Sequence, residues 1–216
     1  MNVIELRNYL LKPGERDRFI KYFKDHFTKS QNAMGAYTPG QFRIKDEDDR
    51  FFWIRGFENM KERSKFLPAF YGGETWNEFG PAANDMMLEW HNVHLLKPVA
   101  GSINRFDKKQ KLLVIDFYDA ADNQLERLIR LFIKTYISPG NKWGMKNVSL
   151  WISEVGVNDF PALPVFQNEN LLVVMTTYNN DEEYKLINKR SNSVVDLFDK
   201  VNVLATNKHR LILFPA

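Results

Sequence analysis

The chain has no cysteine among its 216 residues, which removes disulfides, thiolate nucleophiles, iron–sulfur ligation and cysteine-based zinc sites together. Histidine is scarce as well, with four residues. His91 and His94 lie three apart on a stretch that reads as strand, so they point to opposite faces and cannot share a metal ion. His209 falls on the last strand, near their counterpart in the second half. His26 sits one residue before an apolar helical stripe, where a packing role outweighs a general-base or haem-ligand role. No apolar run approaches the roughly 20 residues that cross a bilayer. There is no glycine-rich phosphate loop, no Gly-x-Ser-x-Gly elbow and no His-Glu-x-x-His helix, so the nucleotide and hydrolase chemistries that need them fall away. Neither charge sign dominates: 30 Lys+Arg against 27 Asp+Glu leave +3, and no basic run is interleaved with aromatics, so a nucleic-acid footprint is missing. Neither metal nor cofactor is expected, and neither nucleic acid nor a membrane is expected as a partner. The N-terminal MNVIELRNYL alternates at once, which reads as a strand rather than a signal peptide, and the expected compartment is cytoplasmic.

What is present is ample core material, 44% hydrophobic residues with 26% charged, in a pattern that changes period repeatedly. Residues 2–11 alternate as a strand. Pro13-Gly14 breaks it, and a helix over about 14–34 carries Phe19, Ile20, Phe23 and Phe27 on one stripe. Strands over 37–45 and 50–56 flank the acidic turn Asp46–Asp49 as a hairpin. Residues 57–88 read as helix in pieces, cut at Pro68, Gly72-Gly73 and Gly80-Pro81, and a strand over 91–97 follows. The aperiodic stretch 98–110 is the expected joint, dividing a first half over 1–100 from a second over 108–216. Shifting the sequence by 109 residues superimposes Val3 on Leu112, Tyr9 on Tyr118, Phe23 on Phe132, Phe27 on Tyr136, Gly35 on Gly144 and Phe42 on Trp151, which reads as a tandem repeat. The second half adds a longer connection over 155–169, then strand 170–177, helix 181–203 and strand 208–214. The predicted fold is therefore α+β: two ferredoxin-like β-α-β-β-α-β halves forming a pseudo-dimeric α/β barrel.

Strand parity in the first half sorts residues into two sets. Ile4, Leu6, Phe42, Ile44, Phe52 and Ile54 are all apolar and suit the helices. Glu5, Arg7, Tyr9, Gln41, Arg43, Trp53 and Arg55 share the other parity and are expected to face the barrel interior. Buried charge needs partners, so Glu5 is expected to pair with Arg43 or Arg55. The second half places Val114, Asp116, Tyr118, Leu150 and Ile152 at equivalent positions, a largely apolar face. Arg7, Tyr9, Gln41, Arg43, Trp53 and Arg55 therefore form the candidate ligand pocket. Tyr71 and Trp76 close it, from a segment over 66–87 whose aromatics suit a lid or a dimer contact. The bland reading, a salt-bridged network that seals an interface, stays open beside it.

Four stretches carry a family likeness: Glu5-Leu6-Arg7 through Tyr9 to Pro13-Gly14; Met34-Gly35-Ala36 with Gly40-Gln41-Phe42-Arg43; Phe51 to Phe57; and Ala69-Phe70-Tyr71-Gly72-Gly73 with Trp76. With Asn84 and Asn92-Val93, they make the first hundred residues resemble the NIPSNAP family of the dimeric α/β-barrel superfamily. The resemblance implies the barrel fold and no particular reaction, because the superfamily includes cofactor-free monooxygenases, haem-dependent enzymes and isomerases while NIPSNAP members have no agreed activity. Two functional readings stay open: an enzyme of monooxygenase or isomerase type acting on a small aromatic or anionic molecule, and a non-catalytic ligand-binding or protein-interaction module. A small-molecule ligand is the partner of the first reading. A homodimer is expected on either, to cover sheet edges and the aromatic segment.

Overall fold

The first strand, β1 (Val3–Leu11), is buried along nearly its whole length, which is why its sequence can mix aliphatic, aromatic and charged residues. Gly14, at φ +79°, turns the chain in a conformation that favours glycine. Helix α1 (Arg16–Phe23) then runs through a π-helical turn at Lys24–Thr28 into α2 (Lys29–Ala33). Strands β2 (Tyr37–Ile44) and β3 (Arg50–Phe57) pair as the expected hairpin. Helix α3 (Met60–Tyr71), capped by Asn59 Oδ1 accepting from the Glu62 amide, is followed by α4 (Glu74–Met86) and β4 (Met87–Ala100). The computed structural model describes residues 1–103, 111–138, 147–189 and 199–216.

The second half repeats this order: β5 (Leu112–Ala120), α5 (Leu125–Phe132), a π-helical turn at Ile133–Ile137, β6 (Val148–Ser153), β7 (Leu171–Tyr178), α6 (Asp181–Lys189), helix again over 199–204, and β8 (Ala205–Pro215). Under the 109-residue shift, β1 falls on β5, α1 on α5 and the first π-helical turn on the second. Gly144, most of the 98–110 joint and the middle of the 181–203 helix lie outside the described residues.

The chain divides into two compact units, one of Met1–Lys97, Glu154–Gln167 and Pro215–Ala216, the other of Pro98–Ser153 and Asn168–Phe214. In the first, the strands run β4-β1-β3-β2, all antiparallel, with Glu5 opposite Arg55 and Arg7 opposite Trp53. In the second they run β8-β5-β7-β6, with Asp116 between Arg210 and Val174. The fold class is the one expected, α+β with two ferredoxin-like halves of the α/β-barrel type.

Three local expectations need correction. Pro68 and Pro81 do not cut the helices; they lie inside α3 and α4, and only Gly72-Gly73 makes the break. The segment over 66–87 is accordingly the end of α3, the whole of α4 and the first residue of β4, with Phe66, Leu67 and Phe70 in the core. The connection over 154–167 leaves the second half in sequence but packs as part of the first unit. The largest correction concerns parity. Tyr9 and Trp53 share one core with Phe19, Phe23 and Phe27 of the first helix, Phe66 and Phe70 of α3, and Ala83 of α4. The set with Glu5, Arg7 and Arg55 thus faces the helices, and the wholly apolar set, including Ile4, Phe42 and Ile54, lies buried on the opposite face.

Candidate functional site

Glu5, the third residue of β1, is fully buried and surrounded by three buried guanidinium groups. Arg7 Nη1 donates to Glu5 Oε2 at 2.8 Å, Arg55 Nε donates to the same oxygen at 2.8 Å, Arg55 Nη2 stands 2.6 Å from it as an ion pair, and Arg63 Nε donates to Oε1 at 2.8 Å. Strand pairing explains two of these, since Arg55 is directly across from Glu5 and Arg7 is its next neighbour on the same face. Arg63 arrives from α3, whose buried stripe is Arg63, Phe66, Leu67 and Phe70. Burial alone would raise the Glu5 pKa, but Arg55, Arg7 and Arg63 outweigh it and hold the carboxyl well below its ordinary range.

Other donors of the three groups reach neutral acceptors. Arg7 Nε donates to the Tyr9 hydroxyl at 2.8 Å, Arg55 Nη1 to Gln31 Oε1 at 3.2 Å and to the Tyr71 hydroxyl at 3.4 Å, and Arg63 Nη1 to Asn158 Oδ1 at 3.0 Å. Aromatic faces cover the cations: Trp53 lies against both Arg7 and Arg55, and Phe57, Phe66 and Tyr71 lie against Arg55. Among the described residues, three guanidinium groups on one carboxylate leave two positive charges unbalanced in a dry environment. Arg63 Nη2 and Trp53 Nε1 are buried donors with no acceptor among the described residues. Burial raises the Tyr9 pKa, with Arg7 opposing, so at neutral pH the phenol is protonated; its oxygen accepts from Arg7 and its hydrogen is left to donate.

Beside this cluster is a cavity of about 20 Å³ lined by Tyr9, Gln31, Trp53, Tyr71, Trp76 and phenylalanines of α1 and α3. That volume admits about one water molecule. Gly80 shapes its wall, because a Cβ there would come within 2.7 Å of the Trp76 ring, which packs against Phe27, Phe70 and Tyr71.

The eight sequence-predicted site residues therefore separate. Arg7, Tyr9, Trp53, Arg55, Tyr71 and Trp76 come together. Gln41 donates instead to Thr28 Oγ1 at 2.7 Å, and Arg43 pairs at the surface with Asp17 at 2.8 Å; neither lines the cavity. The Glu5 partners are Arg55, Arg7 and Arg63, not Arg43. Sequence reading missed Arg63 and Gln31, although both occupy stripe positions, Arg63 three before Phe66 and Gln31 four after Phe27. His26 stacks on Phe79 at 3.9 Å, a packing role between the π-helical turn and α4. Among the described residues, no three His, Asp or Glu side chains gather in a metal-binding arrangement.

No protein-family model and no curated protein sequence matches the chain. Solved structures do. A "putative monooxygenase" from Lactobacillus acidophilus aligns over 99% of this chain and 93% of its own, with a TM-score of 0.68 and 14% identity. One of the same description from Fusobacterium nucleatum covers 99% and 91%, at 0.71 and 10%. An anthrone oxidase-like protein covers 100% and 91%, at 0.63 and 8%. At these identities the likeness is one of fold. Structural neighbours that cover about half of the chain include NIPSNAP family proteins, such as one from Burkholderia xenovorans that covers 47% of this chain and 99% of its own, with a TM-score of 0.42 and 16% identity.

Proposed function

We propose that the first unit binds a small aromatic anion between its sheet and its helices, and that an enzyme of cofactor-free monooxygenase or isomerase type acts there on that anion. One observation carries this reading: three buried arginines share a single buried carboxylate beside an aromatic-walled cavity. Uncompensated buried charge is strongly unfavourable, and a ligand oxyanion supplies the missing negative charge through charge-assisted hydrogen bonds. The guanidinium groups hold the anionic oxygen. Tyr9 donates its phenolic proton to it, and Trp53, Tyr71 and Trp76 contact the ring. Ligand entry requires the α4 side of the cavity, Trp76 and Ala83, to give way. The two activities differ in their co-substrate, since only oxygenation consumes dioxygen. A second reading, a purely structural network, is favoured by the small volume of the cavity.

Titration with benzoate, 4-nitrophenolate and the neutral benzamide, followed by tryptophan fluorescence, tests the site. The anions are expected to give saturable quenching that Trp76→Ala weakens about tenfold or more, with benzamide silent. No response to any of the three would leave the structural network as the answer, and an equal response to benzamide would remove the anion from the reading. An oxygen electrode then separates oxygenation from isomerisation or binding alone.

A further inference from the structure

The connection over 154–167 is tied down at its ends. Gln167 Nε2 donates to the carbonyls of Glu154 and Gly156 at 2.7 and 2.6 Å, the Glu154 amide donates to the Leu95 carbonyl at 2.9 Å, and the Phe166 amide donates to the Val93 carbonyl at 2.7 Å. Between these ties the tip folds inward: Leu163 is buried in the first unit's core, with Phe160 packed against it. Closed ends and an inward, self-packed tip make it an Ω-loop.

Two side chains of the tip meet the site. Asn158 Oδ1 accepts from Arg63 Nη1 at 3.0 Å, and the Phe160 ring lies parallel to that of Tyr71, centroids 5.8 Å apart and planes 18° apart. A carboxamide on a guanidinium and a phenyl ring on a phenol, two residues apart, reproduce the groups of a carboxylate joined to an arene by a short linker. The match is incomplete in one respect. The carboxamide is neutral, so it leaves the excess charge in place, and Arg63 Nη2 stays without an acceptor.

We propose that Arg63 and Tyr71 form an outer subsite for an arylalkanoic carboxylate, and that Asn158 and Phe160 fill it as the chain's own neutral stand-in. The proposal rests on the aromatic-anion reading above and narrows its ligand class. The carboxylate takes both Nη atoms of Arg63, the arene takes the place of Phe160 over Tyr71, and the tip swings out while its tied ends stay.

The probe is 3-phenylpropanoate, with 3-phenylpropanamide as the neutral control, measured by calorimetry on the full chain. The double substitution Asn158→Ala/Phe160→Ala removes the stand-in and is expected to tighten 3-phenylpropanoate binding by about tenfold or more. Asn158→Asp supplies the missing charge from within. It can keep the turn in which Asn158 Oδ1 accepts from the Phe160 amide, while losing the donation to the Leu163 carbonyl; it is expected to raise the melting temperature and to abolish binding. A double variant that binds no tighter than the parent, or an Asn158→Asp variant that is less stable and still binds, overturns the subsite. If benzoate and 4-nitrophenolate bind and respond to Trp76→Ala while the Asn158 and Phe160 variants change nothing, the inner site stands and only this subsite falls. If no aromatic anion binds any variant, both fall together.

Discussion

The two units solve the same packing problem with different charge. In both, the helix-covered face of the central strand carries an ionised pair: Glu5 with its arginines on β1, and Asp116 with Arg210 across β5 and β8. In the second unit the count is one to one. Arg210 contacts both Asp116 oxygens, at 2.5 and 3.1 Å, and is itself 37% exposed, while Val114 and Val174 replace the positions of Glu5 and Trp53 with aliphatic bulk. In the first unit one carboxylate serves three guanidinium groups, all dry. Burial dominates at Asp116 and raises its pKa against the pull of Arg210, whereas at Glu5 the arginines overcome burial and lower it. A fold of this kind can be held together by a balanced pair. The surplus in the first unit is therefore not explained by the needs of packing.

Substitution of the two carboxylates should expose this contrast most strongly. Glu5→Ala strands three buried cations and is expected to cost about 3–5 kcal/mol, measured by urea denaturation. Asp116→Ala frees a half-exposed arginine that can turn to water, and about 1 kcal/mol is expected. Comparable losses would mean that the first cluster is wetter than its geometry.

Acid should separate the pairs by sign. The Glu5 pKa is depressed below 4.5, so its stabilisation is present above that value and fades as pH falls through the lower folded value. The Asp116 pKa is raised above 3.8, so the folded state takes up the proton first and its contribution grows as pH falls toward 3.8. Urea melts from neutral pH down to about pH 4 should thus find the deficit of Glu5→Gln nearly constant and the stability of Asp116→Asn falling relative to the parent. A deficit of Glu5→Gln that vanishes near neutrality would contradict the arginine cage.

The smallest effect belongs to Arg43→Ala. Its pair with Asp17 is at the surface, with side-chain exposures of 35% and 78%, and a loss under about 1 kcal/mol is expected, with aromatic-anion binding unchanged. Lost binding would return Arg43 to the pocket that strand parity assigns it.

Parity made the polar set legible in the sequence, because alternation sorts residues by face whatever covers them. It could not say which face was which. Both faces of the first unit's sheet are buried, and the inference that helices prefer the wholly apolar set fails when the helices bring phenylalanines and an arginine that suit Arg55 and Glu5. Tyr71 and Trp76 were legible as aromatics near a cleft, Gln41 and Arg43 only as members of the correct parity class on a strand whose far end leaves the site. Arg63 was readable in principle as a charged residue on a buried stripe. Asn158 was not, since its contact depends on a connection folding onto a unit far from it in sequence, and no local pattern records that.

The π-helical turn in the first helix has a geometric consequence for the arginines. Phe19, Phe23, Phe27 and Gln31 follow one another at spacings of four, and in an unbroken α-helix each such step overshoots a full turn by about 40°, so the row would spiral away from the sheet by roughly 120°. The wider turn at Lys24–Thr28, with its i→i+5 bonding, winds the backbone back by most of that amount. It works like a vernier, resetting the angular phase of everything downstream. Without that reset Gln31, which receives Arg55 from the far end of the row, would face solvent; the recurrence of the turn at the matching place in the second half keeps Leu128, Phe132 and Tyr136 in one file by the same correction.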